Sequence, residues 1–169
     1  MKLSFCGLLL FLASLAVGGT SSIHAMTPPI GGLVLSDLRD TFEEIHNGHL
    51  HEAIDIIEPR GTPVRAVVHG TIRKLFLSKL GGNTIYQFDE MAEYCYYYAH
   101  LDRYAEGLRE GMSVQPGDVI GFVGSTGNAA ERTPHLHFAI FELGPEKRWS
   151  RGKAVNPYPA LVAAVKRSK

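Results

Sequence analysis

Three separated fragments of the chain carry side chains that could share one metal-dependent reaction. They are HEAID at His51 to Asp55, YAHL around His100, and HLH at His135 to His137. Imidazole and carboxylate are the usual ligands of a hydrolytic Zn²⁺ that keeps one position open for water. Histidines left over beside such an ion can move protons and stabilise developing charge.

Geometry limits how the fragments can meet. On an extended strand, residues two apart face the same side, ~7 Å from each other. His135 and His137 can therefore look into one cleft. Four residues along a straight strand span ~13 Å, too far for one ion with bonds of ~2 Å. His51 and Asp55 can share a metal only if the chain bends between them. A helix would also bring them together, but AIDII is β-branched and lies between turn signals. The expectation is a bend near Ala53, with His51 on the preceding loop and Asp55 at the start of a strand.

Taken singly, each motif has a plainer explanation. A His-x-His pair can be ordinary strand surface, and His100 alone could be a satisfied core histidine. The joint occurrence is what points to a site. His46 and His49 are rival ligands near His51, with solvated loop residues as the default, and His69 in a VVHG turn reads as structural. Spacing does not separate ligand from catalyst.

The elements that must position these groups read as strands. Short β-branched and aromatic runs (AIDII, VRAVV, TIRKLFL, TIYQF, EYCYYYAHL, VIGFVG, LHFAIFEL) alternate with glycine and proline punctuation. PALVAAVKR, from Pro159, is the best helix, with proline near its start. Asp37 to Ile45 reads as a short helical turn or an irregular lead-in. The expected fold is a mainly β domain, a compact antiparallel sandwich or barrel-like sheet with a groove and a short C-terminal helix.

Lys2 precedes an apolar run from Leu3 to Val17 and a small-residue stretch to Ala25. That pattern predicts a secretory signal peptide over residues 1–25, export to the periplasm or medium, and no stable membrane insertion after cleavage, with an uncleaved membrane anchor as the alternative reading. Residues 26–169 then form a single domain. Lys plus Arg and Asp plus Glu are both 17, which gives no argument for a nucleic-acid partner. Lys147, Arg148, Arg151 and Lys153 cluster locally and read as a solvated loop. Of two cysteines, Cys6 leaves with the leader and Cys95 remains, so no intramolecular disulfide is expected.

The segments HEAIDIIEPRGTPVRAVVHGTI, GGNTIYQFD, YYYAHLD, GMSVQPGDVIGFVGSTGNA and RTPHLHF resemble the lysostaphin/LytM-type zinc metallopeptidases, over roughly Pro28 to Pro159. The resemblance implies the β fold with a groove, one zinc ion per chain, and cleavage of peptide cross-links in bacterial peptidoglycan. By position it makes His51, Asp55 and His137 the zinc ligands and His100 and His135 the catalytic pair. One departure stands out. The family has glycine in the middle of His-x-Gly-x-Asp, where this chain has Ala53. Alanine can fill that bend unless a positive φ is required.

The resulting expectation is a monomeric zinc endopeptidase in which zinc-activated water attacks peptidoglycan peptides with help from the two histidines. The alternative is a non-catalytic wall-binding or hydrolase-activating module of the same fold. A lipoyl- or biotinyl-type carrier, suggested by VQPGDVIGFVG, lacks the lysine at a hairpin tip. If the EYCYYYAHL segment is a regular strand, Tyr94, Tyr96 and Tyr98 share the His100 face, Tyr98 lines the groove, and Cys95 faces away.

Overall fold

The computed structural model describes residues 22–46 and 48–168. Twelve strands are present among them: β1 (Ile45–His46), β2 (His49–Leu50), β3 (Ile54–Ile57), β4 (Pro63–Arg65), β5 (Gly70–Ser78), β6 (Gly82–Asp89), β7 (Tyr94–Leu101), β8 (Arg103–Tyr104), β9 (Ser113–Val114), β10 (Val119–Phe122), β11 (His135–Leu143) and β12 (Gly152–Val155). Helix α1 (Ser22–Ala25) precedes them and α2 (Tyr158–Arg167) follows. The expected leader lies almost wholly outside the described residues. Among the described residues, no helix is long and apolar enough to cross a membrane.

All pairings are antiparallel. The large sheet runs β12-β11-β7-β6-β5-β9, and β3 pairs the same edge of β11 that β12 uses further along. A smaller sheet, β4-β10-β8, packs against it. β1 and β2 form a separate hairpin, with His46 directly across from His49. The strands foreseen from β-branched runs are there. The β1–β2 hairpin and β12 were not foreseen, because two to four residues are too few to show a period.

Strand alternation divides the large sheet into two faces. Ile54 and Ile56 of β3, Tyr96 and Tyr98 of β7, and Leu136, Phe138 and Ile140 of β11 point into the core shared with the small sheet. Their partners there include Val64, Ile120 and Val123, all fully buried. Tyr98 can be buried because its hydroxyl is satisfied. It donates to Gln87 Oε1 at 2.7 Å and accepts from the Val67 amide at 3.2 Å. Helix α2 buries Ala160, Leu161, Ala164 and Val165, spaced to form one stripe, against the same core. Pro157 caps it without a side-chain bond, and Arg167 ties it to the Met26 carbonyl at 2.8 Å.

The opposite face of the large sheet carries Asp55, His135, His137, Tyr97 and Ala99. Its far end is covered by a second apolar cluster of Phe88, Cys95 and Leu143, against which Tyr86, Phe141 and Trp149 pack.

The reading of β7 as a regular strand is corrected here. Asn83 pairs with Leu101 but Ile85 pairs with Tyr98, so Ala99 and His100 together oppose Thr84. This is a β-bulge, and His100 sits in it at φ 58°, a region histidine tolerates better than most residues. The extra residue shifts the phase. His100 joins the face of Tyr97 and Ala99, not that of Tyr96 and Tyr98. Tyr98 is core and does not line the groove. Tyr97 does.

Cys95 therefore lies on the same face as the histidines, not the opposite one. It is nonetheless a packing residue, because it is fully buried in the second cluster, away from the cleft. Burial pushes its thiol well above the usual range, so thiolate is scarce. Cys95→Ser should keep full activity and resist thiol reagents, at a stability cost of about 1–2 kcal/mol for a buried hydroxyl. Inactivation by a thiol reagent that leaves bound metal in place would contradict this placement.

Candidate active site

β11 runs between β3 and β7 at its first half, and this register assembles the site. His137 lies directly across from Asp55 on one side and from Ala99 on the other. His135, two residues earlier on the same face, follows. His51 arrives from the lead-in to β3. Glu52 takes φ 54° and the chain bends at Ala53, as the spacing required. The left-handed residue is Glu52, not Ala53. Alanine is therefore unstrained at this bend, and its methyl is fully buried.

Three donor atoms converge. His51 Nε2 stands 3.1 Å from His137 Nδ1 and 3.1 Å from Asp55 Oδ1, and His137 Nδ1 is 3.2 Å from the same oxygen. Donors held ~2.0–2.1 Å from a tetrahedral ion stand ~3.3 Å apart. The observed triangle is one face of such a tetrahedron to within about 0.2 Å. Two imidazole nitrogens and one carboxylate oxygen also suit zinc chemically. His46, His51 and Asp55 can likewise bring donors within 4.8 Å of one another. However, the His46 ring is stacked on His51, with centroids 4.1 Å apart and planes 20° apart. An ion in the plane of one ring lies off the plane of the other, so the His51–Asp55–His137 set fits better.

The rings are oriented by backbone carbonyls. His51 Nδ1–H donates to the Thr41 carbonyl at 3.1 Å, His100 Nδ1–H to Thr126 at 2.8 Å, and His135 Nδ1–H to Thr133 at 2.9 Å. A carbonyl oxygen can only accept, so each bond fixes a proton on Nδ1. In the neutral ring Nε2 is then a free acceptor, and only the doubly protonated His51 ring also donates from Nε2 to Asp55. Thr41 is doubly used. Its buried hydroxyl donates to the Ala53 carbonyl at 3.1 Å and accepts from the Asp55 amide at 3.3 Å. One residue thus holds both ends of the His51–Asp55 bend.

Electrostatics follow the convergence. Burial opposes ionisation of Asp55, but hydrogen bonds from His137 and His51 outweigh it and hold the carboxyl far below the usual range. Burial likewise lowers His51, yet Asp55 raises it overall. For His137 burial wins over the same carboxylate, and its affinity for a proton falls. Burial lowers His100 to about 4, so this ring is neutral at neutral pH, as a proton acceptor must be. His100 packs edge-on against His135 and His137, with centroids 4.9 and 5.5 Å away.

These groups line a cleft of about 650 Å³ whose other walls include His46, Leu80, Tyr97 and Ala130. Sequence reasoning brought together His51, Asp55, His100, His135 and His137, and the structure places all five in this one cleft. His46 and His49 line it as well, from the β1–β2 hairpin, so neither is a plain loop residue. His69 lies elsewhere, near Glu90 at 3.6 Å. Reasoning from sequence missed Tyr97 and the three threonine carbonyls. Tyr97 was hidden by the bulge, and a carbonyl leaves no residue-type signal.

The loop that carries Thr126 depends on two glycines. A Cβ on Gly82, at φ 63°, would meet Thr126 carbonyl carbon at 2.4 Å, and one on Gly127 would meet Leu80 oxygen at 2.2 Å. The loop thus docks backbone to backbone on the β5–β6 turn, where Thr126 Oγ1 accepts from the Asn83 amide at 3.0 Å. Gly82→Ala should lower stability by at least ~2 kcal/mol and reduce activity with it, since His100 loses its anchor. An unchanged melting temperature would show that the close approach is not needed.

A model of peptidase family M23 matches residues 49–157, a span that includes His51, Asp55, His100, His135 and His137. The chain belongs to peptidase family M23. The resemblance to lysostaphin/LytM-type enzymes and the mainly β fold are both borne out. This M23 chain is 35% identical over 119 residues to the L-Ala–D-Glu endopeptidase of Bacillus subtilis, covering 68% of this chain and 35% of that protein. It is 34% identical over 119 residues to lysostaphin of Staphylococcus simulans, covering 70% of this chain and 22% of that protein. The solved catalytic domain of S. simulans lysostaphin superposes with a TM-score of 0.59 at 30% identity, covering 81% of this chain and 88% of that one. The chain thus spans about a third or less of the length of these two curated relatives. M23 is a family of metallopeptidases, in keeping with the donor triangle.

Proposed function

We propose that this M23 chain is a zinc endopeptidase that cuts peptide cross-links of bacterial peptidoglycan, with one ion per chain held by His51, Asp55 and His137. The observation that carries the reading is the donor triangle of 3.1, 3.1 and 3.2 Å, supported by relatives named as an L-Ala–D-Glu endopeptidase and a glycyl-glycine endopeptidase. A zinc ion bound there would supply Lewis-acid polarisation of the scissile carbonyl and acidify a water.

The chain's own residues do the rest. Asp55, held ionised, contributes the negative charge that a divalent cation needs. Thr41 keeps His51 Nε2 aimed at the same point. His100 and His135 each present a free Nε2 toward the cleft. One of them takes a proton from the attacking water as the new C–O bond forms. Once protonated, it can donate to the carbonyl oxygen as that oxygen gains charge, and then to the amine as the C–N bond breaks. The aligned rings are pre-set for this, because neither must rotate to present its acceptor.

The competing reading is a binding or activating module of the same fold. It predicts erosion of the site, yet all five groups stand in one cleft. Export through a signal peptide over residues 1–25, a single domain over 26–169 and a monomeric state accompany the proposal. Purified sacculi decide it. The protein should release defined muropeptides, identified by mass, lose that activity to a chelator and regain it with zinc. Sacculi left intact by zinc-loaded protein would sink the proposal.

A further inference from the structure

The cleft is not the only cavity on the outer face. A second one of about 530 Å³ is lined by Tyr86, Tyr97, Phe141, Trp149, Ser150 and Arg151. Tyr97 is a wall of both, so the second cavity continues the first along the sheet. Its aromatic rings brace one another. Tyr86 meets Tyr97 at 4.7 Å between centroids and Trp149 edge-on at 4.8 Å. Trp149 also leans on Phe76 at 5.5 Å. The wall is therefore rigid before any ligand arrives.

The rim comes from the loop between β11 and β12, the KRWSRGK segment that the sequence marks as basic. Its cations do not all behave alike. Arg148 pairs with Glu146 at 2.7 Å, whereas Arg151 has no carboxylate partner among the described residues and borders the cavity. Ser150 is exposed beside it. An aromatic wall with hydroxyl and guanidinium donors on its edge suits a ligand that is apolar on its face and polar around its rim.

We propose that this cavity is a glycan subsite, which holds an N-acetylated amino-sugar ring of the same polymer whose peptide lies among the histidines. The inference rests on the peptidoglycan reading above. That polymer offers two chemistries, peptide stems and amino-sugar rings. A sugar ring presents C–H groups on its face, which gain dispersion energy against aromatic carbons. Its hydroxyls and acetamide carbonyl accept from Arg151 and Ser150. Short stem side chains and their carboxylates would leave four aromatic rings without a use. Recognition of the sugar would direct the enzyme toward peptides still attached to glycan.

Trp149 is the only tryptophan of the chain, so its emission reports on this cavity directly. The probes are the tetramer of N-acetylglucosamine and a glycan-free stem tetrapeptide, titrated into the full chain with and without chelator. The expected result is a saturable change in emission with the sugar, unaltered by chelator. Tyr86→Ala and Arg151→Ala should each weaken it about tenfold, the scale of one lost anchoring contact. Arg151 is exposed on its loop, so that variant tests the idea even if Tyr86→Ala fails to fold. No saturable change up to ~10 mM sugar, tenfold above a weak ~1 mM Kd, would overturn the subsite. So would a response to the tetrapeptide alone. Because emission needs no hydrolysis, a sugar response in protein inert on sacculi would sink the peptidase reading and not the subsite.

Discussion

Asp55→Ala and His137→Ala should each be purified with far less than one zinc per chain, while the parent protein holds one. The expectation follows from the donor triangle. Four-ligand zinc sites in small domains are worth ~10–16 kcal/mol, so a single ligand carries about 3 kcal/mol, or roughly a hundredfold in affinity. Loss of Asp55 costs more than loss of a neutral ligand, because the only negative charge of the triangle goes with it. Folding should survive in both, since neither side chain belongs to the core. Metal analysis after dialysis, with circular dichroism as control, gives the answer. His46→Ala should retain zinc, which separates the stacked neighbour from the ligands. Full occupancy in the Asp55 and His137 variants, or loss in the His46 variant, would mean that the ligand set is wrong.

His100→Ala and His135→Ala should behave in the opposite way, keeping zinc and losing most hydrolysis. General acid–base assistance is typically worth ~10²–10⁴ in rate, and that is the loss expected for each. His100 needs a second variant, because its φ of 58° makes any replacement a backbone question too. Asparagine tolerates that conformation and lacks the imidazole, so His100→Asn isolates the chemistry from the strain. If His100→Asn with zinc bound cleaves within about threefold of the parent, His100 takes no part in the proton transfer. The same criterion applies to His135.

The sequence exposed the site more fully than it exposed the sheet. His51, Asp55, His100, His135 and His137 were legible because metal and proton chemistry restrict residue types, and because a His-x-His on a strand fixes a face. The bend near Ala53 was legible from distance alone. β7 was misread for a physical reason. Alternation is a rule about undisturbed pairing, and a bulge depends on the partner strand, here the single Thr84 opposite two residues. No pattern within EYCYYYAHL records that. The roles of Thr41, Thr126 and Thr133 were hidden for a different reason. Each orients its histidine through a backbone carbonyl, a group every residue has. Trp149 was passed over as part of a charged loop, because its packing partners lie in strands far away in sequence.

The two faces of β7 and β11 have a consequence for how the chain can change over generations. Tyr96, Tyr98, Phe138 and Ile140 hold the molecule together, while Tyr97, His135 and His137 line the cleft, and the two sets interleave along the strands. A substitution on the cleft side spends little stability, so specificity can drift there without unfolding the protein. A substitution one position along does the reverse. His100 is the place where this independence ends. Its side chain belongs to the cleft, but its left-handed backbone sets the phase of everything that follows it in the strand, including the buried Leu101. At that residue the backbone of the fold and the side chain of the cleft are inherited together.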